Sequence, residues 1–546
     1  MHYARTLALC ALALASCSSD DASTPEQPLD ASRPVDASVL DARQVDAHQV
    51  DAARGSADAA IPDAARAVDA GHDAGIPIDP AAEALHEKAD RALADLMLNY
   101  WPSLRSNDHT IDWMYAHHWE ALLDAAERRG PTAFAGTAQM FYELQEKRGW
   151  INDYYDDENW LTLTLLHAYE LTNQERFLDR AKEVYADIMK AWDISCCGEQ
   201  RGGLWWKKPM ESKVTAINGG AILSGARLYE FTQEPRYLEF AERAYDFWVE
   251  HMIEPESGHV YDGFDNSGKI NTAWRFTYNE GIFIGAIVAL TRVTQDDSRL
   301  PLAHKIAGFM LASESAMTPA GRVLSDGKCS GDGEMFKGIG ARYLGQLYAL
   351  DRSHTEYRDL LRSSAEAMWT QARDPMSGRF VCDWAGPFDA TASRVGSLGS
   401  AAVALAAAAR AVGPGAQREP LHFEAEEANL QGPGVEAMHA GFEGWGYVAG
   451  WGNDGQSIAI AIDAPAQGTY ELALRYGTVE VAQRTLRVGS VDKPVTFPRT
   501  AGYSDYQIVS TTVELARGAN TLTISLDASA GGRGYLNLDT ITLRAR

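Results

Sequence analysis

Two adjacent carboxylates, Asp156 and Asp157, are the residues of this chain whose types and spacing best fit catalysis. They lie in residues 149–160 beside Trp150, Tyr155 and two further aromatic residues. Retaining cleavage of a glycosidic bond needs two carboxyl groups about 5 Å apart, one as nucleophile and one as proton donor. Neighbours on a first helical turn can meet that distance, and their like charges push the two pKa values apart. The aromatic rings offer faces for sugars.

The same acids also fit a purely structural role. Leu161, Leu165 and Tyr169 recur at helical spacing, so a helix is predicted to begin at this point. Aspartate is favoured at helix N-termini, where the helix dipole stabilises negative charge. The local pattern therefore leaves catalysis and capping both open, and the rest of the chain has to decide.

The composition restricts the possible partners. The chain has 546 residues, which is enough for two or three domains, and a formal net charge of -26. Such a charge argues against nucleic acid and anionic membrane surfaces as partners and fits a neutral or cationic substrate. The 14 Trp and 22 Tyr residues suit a carbohydrate cleft, and an aromatic-rich core is the alternative.

The N-terminal residues predict export. Residues 1–17 read as a signal peptide, and Leu14-Ala15-Ser16-Cys17 looks like the lipobox of a bacterial lipoprotein, in which Cys17 becomes lipidated. Ser18 favours sorting to the outer membrane or cell surface, and a plain secretory signal is the alternative. Residues 18–80 are rich in Ala and Asp and lack aromatic residues, which predicts a disordered tether.

Residues 81–412 predict a closed array of helical hairpins. Helical segments alternate with Gly-led loops, and the leading glycines recur roughly 54 to 63 residues apart, at Gly149, Gly203, Gly258, Gly321 and Gly378. Each period holds two helices, so the pattern predicts an all-α (α/α)6 toroid. Every second connection then emerges at one end, where acids and aromatic residues of successive loops gather. That gathering favours an active site over a plain capped helix.

Other stretches are predicted to line the same cavity. Asn218 begins one helix, and Tyr278, Asn279 and Glu280 begin another. Polar groups on an apolar helix are costly unless paired, so they bind either sugar hydroxyls or neighbouring backbone groups. Cys329 and Cys382 fall on successive repeat loops, which favours their pairing, whereas Cys196 and Cys197 are not assigned.

Residues 421–546 change to alternating apolar and polar residues separated by glycine turns. Segments such as Ser457–Ile462 and Asn520–Leu526 have the period of two that is typical of half-buried strands. This part is predicted to be an all-β sandwich, jelly-roll-like, and a separate domain.

The helical part resembles glycoside hydrolase family 76, the endo-α-1,6-mannanases. The resemblance is carried by Tyr155–Trp160, Gly202–Trp206, Asn218 ahead of Arg227-Leu228-Tyr229, and Tyr278–Ala286, in the family's order. It implies a retaining, endo-acting enzyme in which Asp156 is the nucleophile and Asp157 the acid/base, without a catalytic metal. The residues expected to bind substrate in this part are Trp150, Tyr155, Trp205, Trp206, Asn218, Tyr278 and Asn279.

The C-terminal part resembles carbohydrate-binding modules of families 6 and 35, through Phe423–Glu426, Gly446–Gly452, Gly468–Tyr470 and Leu536–Asp539. The resemblance implies a structural Ca²⁺ bound by Glu424, Glu426 and Asp539, all of which are oxygen donors. It also implies a sugar contact at Asn537. The candidate aromatic platforms are Trp445, Tyr447 and Tyr503.

Taken together, the residues predict an exported endo-α-1,6-mannanase that is lipid-anchored in the outer membrane and carries a glycan-binding module. A transglycosylase, an exo-mannosidase or a lyase on the same toroid is one alternative. A glycan-binding surface lipoprotein without turnover is the other.

Overall fold

The computed structural model describes residues 78–104, 113–130, 135–326, 329–416, 421–444 and 446–546. The predicted signal peptide with Cys17, nearly all of the predicted tether and the candidate platform Trp445 lie outside the described residues. The predictions made for them therefore remain predictions.

Twelve helices make up the first part of the described chain. Six form an inner ring: α2 (Trp113–Arg129), α4 (Tyr155–Thr172), α6 (Thr215–Thr232), α8 (Thr277–Thr294), α10 (Phe336–Leu350) and α12 (Val395–Val412). Six lie outside it: α1 (Pro80–Leu104), α3 (Ala135–Arg148), α5 (Glu175–Ile188), α7 (Pro235–Met252), α9 (Leu300–Ser313) and α11 (Thr355–Thr370). Each inner helix contacts the next, and α12 closes onto α2. The predicted (α/α)6 toroid is confirmed.

The two rings have different sequence patterns because they bury different amounts of surface. The outer helix α5 buries Phe177, Ala181, Tyr185 and Ile188, a single stripe at helical spacing. The inner helix α6 is buried on nearly every side and is rich in small residues. A Cβ atom at Gly220 would lie 2.0 Å from the Asn159 amide, so glycine lets α4 and α6 pack closely.

The glycines that predicted the repeat share one backbone conformation. Gly149, Gly203, Gly258, Gly321 and Gly378 all have positive φ, between 71° and 114°. Residues with a Cβ atom rarely adopt it, which explains why glycine recurs at this point of each period. Short extended segments follow, and each leads the chain to the end of the toroid where the inner helices begin.

Two disulfides lie in the described residues. Cys329–Cys382 joins successive repeat loops, as the sequence favoured. Cys196 and Cys197, which the sequence left unassigned, pair with each other. Two short antiparallel pairs complete this part: β1 (Lys213–Val214) with β2 (Gly263–Phe264), and β3 (Ser315–Thr318) with β4 (Gly321–Leu324).

The C-terminal part is an antiparallel β-sandwich, which confirms the predicted all-β fold. Its strands are β5 (His422–Glu424), β6 (Asn429–Gln431), β7 (Gly434–Glu436), β8 (Tyr447–Ala449), β9 (Ser457–Ala464), β10 (Gly468–Gly477), β11 (Ala482–Val488), β12 (Val491–Phe497), β13 (Gln507–Leu515), β14 (Gly518–Ser525) and β15 (Asn537–Ala545). One sheet has the order β13-β10-β15-β8-β7, with β5 also paired to β15, and the other has the order β12-β11-β14-β9-β6. Alternate residues of β9 and β10 fill a separate apolar core.

Candidate active site

A cleft of about 760 Å³ opens at the end of the toroid where the inner helices begin. Its walls combine carboxylates with aromatic rings from several repeat loops and helix starts. They include Asp156, Asp262, Asp265, Asp332, Trp113, Trp160, Trp206, Phe264, Trp274, Phe276, Tyr278 and Phe336. Acids and aromatic residues thus gather at one mouth, as the repeat predicted.

Asp156 lies on the first turn of α4, is half-buried and lines the cleft. Burial and the neighbouring carboxylate of Asp157 raise the pKa of Asp156 well above its usual range. A side-chain hydrogen bond from Trp206 and backbone amides of the first turn lower the pKa but do not cancel the rise. Asp156 therefore keeps its proton to a higher pH than an isolated aspartate.

Asp157 is buried beside it, and its Oδ2 accepts a hydrogen bond of 2.7 Å from Nδ2 of Asn152. The N-cap residue of α4 is Tyr154, whose side chain makes no capping hydrogen bond. Neither aspartate occupies the N-cap position, although both lie on the first turn, where the helix dipole stabilises negative charge.

The segment that carries Trp206 is held against the start of α4 by its backbone. The amide of Tyr155 donates to the carbonyl of Trp206 at 2.9 Å, and the amide of Lys208 donates to the carbonyl of Asp153 at 2.9 Å. The side chain of Trp206 forms part of the cleft wall together with Asp156.

Another part of the wall contains Trp113 and Phe336, which the sequence did not assign to the site, beside Phe276 and Tyr278, which lie in a stretch predicted to line it. Phe336 lies 4.4 Å from the ring of Tyr278 and 5.0 Å from that of Phe276, measured between centroids, and Trp113 lies 6.4 Å away. Their position at helix starts is a signal by which the sequence could have identified them. Trp113 and Phe336 are the first residues of inner helices, and Phe276 directly precedes one.

A third carboxylate, Asp262, reaches the cleft from the loop before β2. Its Oδ1 accepts hydrogen bonds from the Tyr278 hydroxyl at 2.8 Å and from Nδ2 of Asn279 at 3.2 Å. Tyr278 lines the cleft, as predicted, and burial together with Asp262 raises the pKa of its hydroxyl. Asn279 is fully buried beneath it and positions Asp262 instead of lining the cleft.

Three of the predicted aromatic contacts do not reach the cleft. Trp150 is in the core, where its indole N–H donates to Glu146 at 2.6 Å and its ring packs on Tyr142. Tyr155 is buried with the Lys208 ammonium over its ring, and Trp205 is likewise buried under Lys213. These rings contribute to packing and offer no open face to a sugar.

Asn218 is also structural in the free protein. Its Oδ1 accepts from the Leu204 amide at 2.7 Å, and its Nδ2 donates to the carbonyls of Leu204 and Val214. Of the two roles the sequence allowed, Asn218 satisfies backbone groups. Glu280 does the same through the Val260 amide, at 3.0 Å.

The β-sandwich buries the three acids proposed to bind calcium. Glu424, Glu426 and Asp539 are each at most 2% exposed, and a Cβ atom at Gly444 would lie 2.4 Å from Glu426 Oε1 and 2.9 Å from Glu424 Oε2. The three buried carboxylates surround a space that a side chain at position 444 would fill. Their oxygen atoms are the hard donors that Ca²⁺ prefers. Arg475 forms an ion pair with Asp539 and compensates part of this charge.

Most of the side chains predicted to contact sugar in the sandwich are buried. Tyr447 is fully buried, and its hydroxyl accepts from the His439 amide at 3.2 Å. Asn537 is buried and hydrogen-bonds the Tyr503 carbonyl and the Tyr506 side chain. Tyr503, which is half-buried with its ring 5.2 Å from that of His439, remains the accessible candidate of the three.

A closed ring of helices with paired carboxylates in an aromatic mouth, followed by a β-sandwich, defines a modular carbohydrate-active enzyme. The chain belongs to glycosyl hydrolase family 76, whose family model matches residues 85–417. It is therefore a glycoside hydrolase. Residues 421–546 match carbohydrate binding module family 35.

Similar proteins come from bacteria and yeasts. The α-1,6-mannanase GH76A of Salegentibacter sp. HEL1_6 has a solved structure with TM-score 0.55 and 26% identity, covering 60% of this chain and 99% of that one. An inactive variant of it, with two aspartates changed to asparagine, was solved with α-1,6-mannotriose. Mannan endo-1,6-alpha-mannosidase DCW1 of Candida glabrata is 27% identical over 46% of this chain and 56% of its own length.

The raised pKa of Asp156 predicts a stability gain when this residue is neutralised. An unfolded aspartate titrates near pH ~3.9, so raising the pH from there through the higher folded-state pKa destabilises the folded wild type. We expect Asp156→Asn to melt above the wild type at pH 7, with a gap that narrows toward pH 4. Thermal unfolding between pH 4 and 8 measures the gap. The exposed neighbour variant Asp153→Asn should show no such trend, and a pH-independent gap for Asp156→Asn would contradict the prediction.

Proposed function

We propose that this protein is a retaining endo-α-1,6-mannanase. The observation that carries the proposal is the Asp156–Asp157 pair on the first turn of α4, in which Asp156 lines an aromatic cleft and Asp157 is buried directly beside it. The names of the relatives support the substrate class, since both the solved bacterial enzyme and the yeast protein are described as acting on α-1,6-mannan. The formal charge of the chain also favours a neutral polysaccharide over an anionic one.

In the proposed mechanism Asp156 attacks the anomeric carbon while Asp157 protonates the departing glycosidic oxygen. Asp157 then removes a proton from water, which attacks the same carbon and releases the product from Asp156. The two carboxyls share one proton in the reactive form, and it must lie on Asp157. Once Asp157 is neutral, its repulsion no longer raises the pKa of Asp156, and the Trp206 hydrogen bond stabilises the Asp156 carboxylate.

Product analysis with linear, debranched α-1,6-mannan tests this function. We expect a spread of oligosaccharides early in the reaction, new reducing ends, and an α-anomer as the first product by NMR. Mannose alone would indicate exo-cleavage, longer products would indicate transglycosylation, and ultraviolet-absorbing products would indicate a lyase. If the folded wild type releases nothing from linear or branched mannan, the chain acts by binding alone or on another glycan.

We propose that the enzyme is exported and held by a lipid at Cys17, because residues 1–17 carry a signal pattern that ends in Leu14-Ala15-Ser16-Cys17. In a bacterial host, palmitate labelling and membrane fractionation of the wild type and Cys17→Ser test this. Label and membrane association should disappear with Cys17→Ser and persist with Cys10→Ser. Equal labelling of all three proteins would exclude Cys17 as the site.

We propose that Glu424, Glu426 and Asp539 hold a structural Ca²⁺ in the family 35 module, where the ion would neutralise buried carboxylates. Chelation is expected to lower the melting temperature of the module, and excess Ca²⁺ should restore it. Asp539→Asn should melt low and lose the response to Ca²⁺, whereas the exposed variant Asp454→Asn should respond like the wild type. An unchanged melting curve in chelator would contradict the proposal.

A further inference from the structure

The two carboxylates of the cleft are positioned from opposite sides by different segments. Asn152 Nδ2 donates to Asp157, and the Trp206 side chain lines the cleft together with Asp156. Asn152 belongs to the loop before α4, and Trp206 belongs to a loop about fifty residues further along the chain. A further contact must therefore hold these two loops in fixed positions relative to α4.

A buried ion pair lies between those loops. Glu158 is fully buried one residue after the pair, and its Oε1 accepts from the Lys208 ammonium at 2.8 Å. The same oxygen accepts from the backbone amide of Asn152 at 3.1 Å. Lys208 also pairs with Asp187 at the end of α5, at 2.9 Å. One carboxylate thus ties the loop of Asn152 to the loop of Trp206.

The orientation of the Asn152 side chain is fixed as well. Its Oδ1 accepts from the Tyr154 amide at 2.8 Å, which leaves Nδ2 to point at Asp157. Moving the backbone of Asn152 would therefore move the donor to Asp157. Moving Lys208 would move the nearby Trp206, which lines the cleft with Asp156. A misplacement of ~1 Å in such a site can cost about 10²-fold in rate.

We propose that the Glu158–Lys208 ion pair and Asn152 are positioning residues that set the geometry of both catalytic carboxylates. The inference depends on the proposed function, because it assigns these residues to the same reaction. Glu158 contacts Lys208 and the Asn152 amide and does not belong to the lining of the cleft, so it acts on the carboxylates through these neighbours.

Steady-state kinetics on linear α-1,6-mannan, with folding checked by circular dichroism, test the proposal. We expect Glu158→Gln, Lys208→Met and Asn152→Ala each to lower kcat about 10- to 100-fold with little change in KM. Lys208→Arg should recover part of the rate. The double variant of Glu158 and Lys208 should be about as slow as either single variant, because the two act as one unit. Lys190→Met, which removes another ammonium from Asp187, is the matched control and should keep the wild-type kcat.

The outcomes separate this proposal from the mannanase assignment. An inactive wild type would overturn the proposed function. An active wild type with unchanged kcat in all three variants would overturn the positioning role alone. A rise in KM at constant kcat, or fully additive losses in the double variant, would also overturn it, since either would place the residues in substrate binding or general stability.

A second, independent feature is a pair of histidines on the outer face of the toroid. The rings of His304, on α9, and His354, just before α11, stack with centroids 4.1 Å apart. Their Nε2 atoms lie 3.4 and 3.8 Å from Oδ2 of Asp351. The three ligand atoms all lie within 4.8 Å of one another. Ligand atoms of a tetrahedral zinc ion, with bonds of about 2.0–2.2 Å, lie roughly 3.3–3.6 Å apart, so a bound ion would draw these side chains closer together.

The remaining polar atom of each of these three side chains has a partner of its own. His304 Nδ1 bonds the Tyr357 hydroxyl at 3.0 Å, and His354 Nδ1 bonds Glu356 at 2.8 Å. Asp351 Oδ1 accepts from the amide and hydroxyl of Ser353. Partners of this kind orient the ligands of metal sites.

We infer that His304, His354 and Asp351 bind a divalent transition metal ion such as Zn²⁺. Calorimetric titration of chelator-treated full-length protein with Zn²⁺, with Ca²⁺ in excess to saturate hard oxygen sites, should show one bound ion per chain and a higher melting temperature. His354→Ala should lose both effects, and His251→Ala, a histidine outside the cluster, should keep them. Zn²⁺ binding that persists in His354→Ala, or no binding by the wild type, would overturn the inference.

Discussion

Asp156→Asn and Asp157→Asn are each expected to lower kcat on linear α-1,6-mannan by roughly 10³-fold or more. The amide of the first variant cannot attack the anomeric carbon, and that of the second cannot protonate the leaving oxygen. Because the two residues act as a unit, the double variant should be about as inactive as either single variant. Reducing-end release by matched amounts of folded protein measures the effect.

The control for this result is Asp153→Asn, which changes an exposed carboxylate three residues before Asp156 and should leave the rate unchanged. Both single variants should still bind α-1,6-mannotriose, since Trp206, Tyr278 and the other aromatic walls remain in place. A variant of Asp156 with wild-type activity would show that the acids serve α4 alone and that another pair, with Asp262 as the first candidate, carries the chemistry.

Arg342→Met is expected to destabilise the toroid by about 3–5 kcal/mol. Arg342 is buried on α10 and pairs with Glu120 and with Asp124, the latter at 2.6 Å, both on α2. These acids lie at the end of the inner ring remote from the cleft, around a cavity of about 400 Å³. Removing the guanidinium leaves the buried carboxylates with less positive charge to balance them. Arg410 remains as the other partner of Asp124.

Chemical denaturation followed by tryptophan fluorescence measures this loss, because most of the tryptophans lie in the toroid. Arg358→Met is the matched control, since Arg358 forms an exposed surface pair with Asp359 and its loss should leave the denaturation midpoint close to that of the wild type. Similar midpoints for the two variants would mean that the network at the remote end contributes little to the stability of the ring.

The repeat could be predicted from sequence because its signal is a backbone requirement. A positive φ at Gly203 or Gly258 excludes most other residues, so the spacing of the glycines records the architecture directly. The adjacent carboxylates could be found for a similar reason, since two acids among aromatic residues at a helix start form an unusual local pattern. Both signals lie within single short segments.

The direction of individual side chains could not be predicted in the same way. Trp205 and Trp206 are neighbours in an extended segment, where successive side chains point to opposite faces. One is buried beneath Lys213, and the other lines the cleft. Which of the two faces inward depends on hydrogen bonds to Tyr155 and Ser212 elsewhere in the chain. Asn218 was equally ambiguous, because its backbone partners become visible only after folding.

Trp160 closes the central axis of the toroid. The indole belongs to the lining of both the cleft and the remote cavity, so one side chain of α4 divides the axis of the ring. A polymer therefore cannot thread through the toroid, and the cleft is a cup with one entrance. A bound glycan therefore has to enter and leave the cleft through the same mouth of the ring.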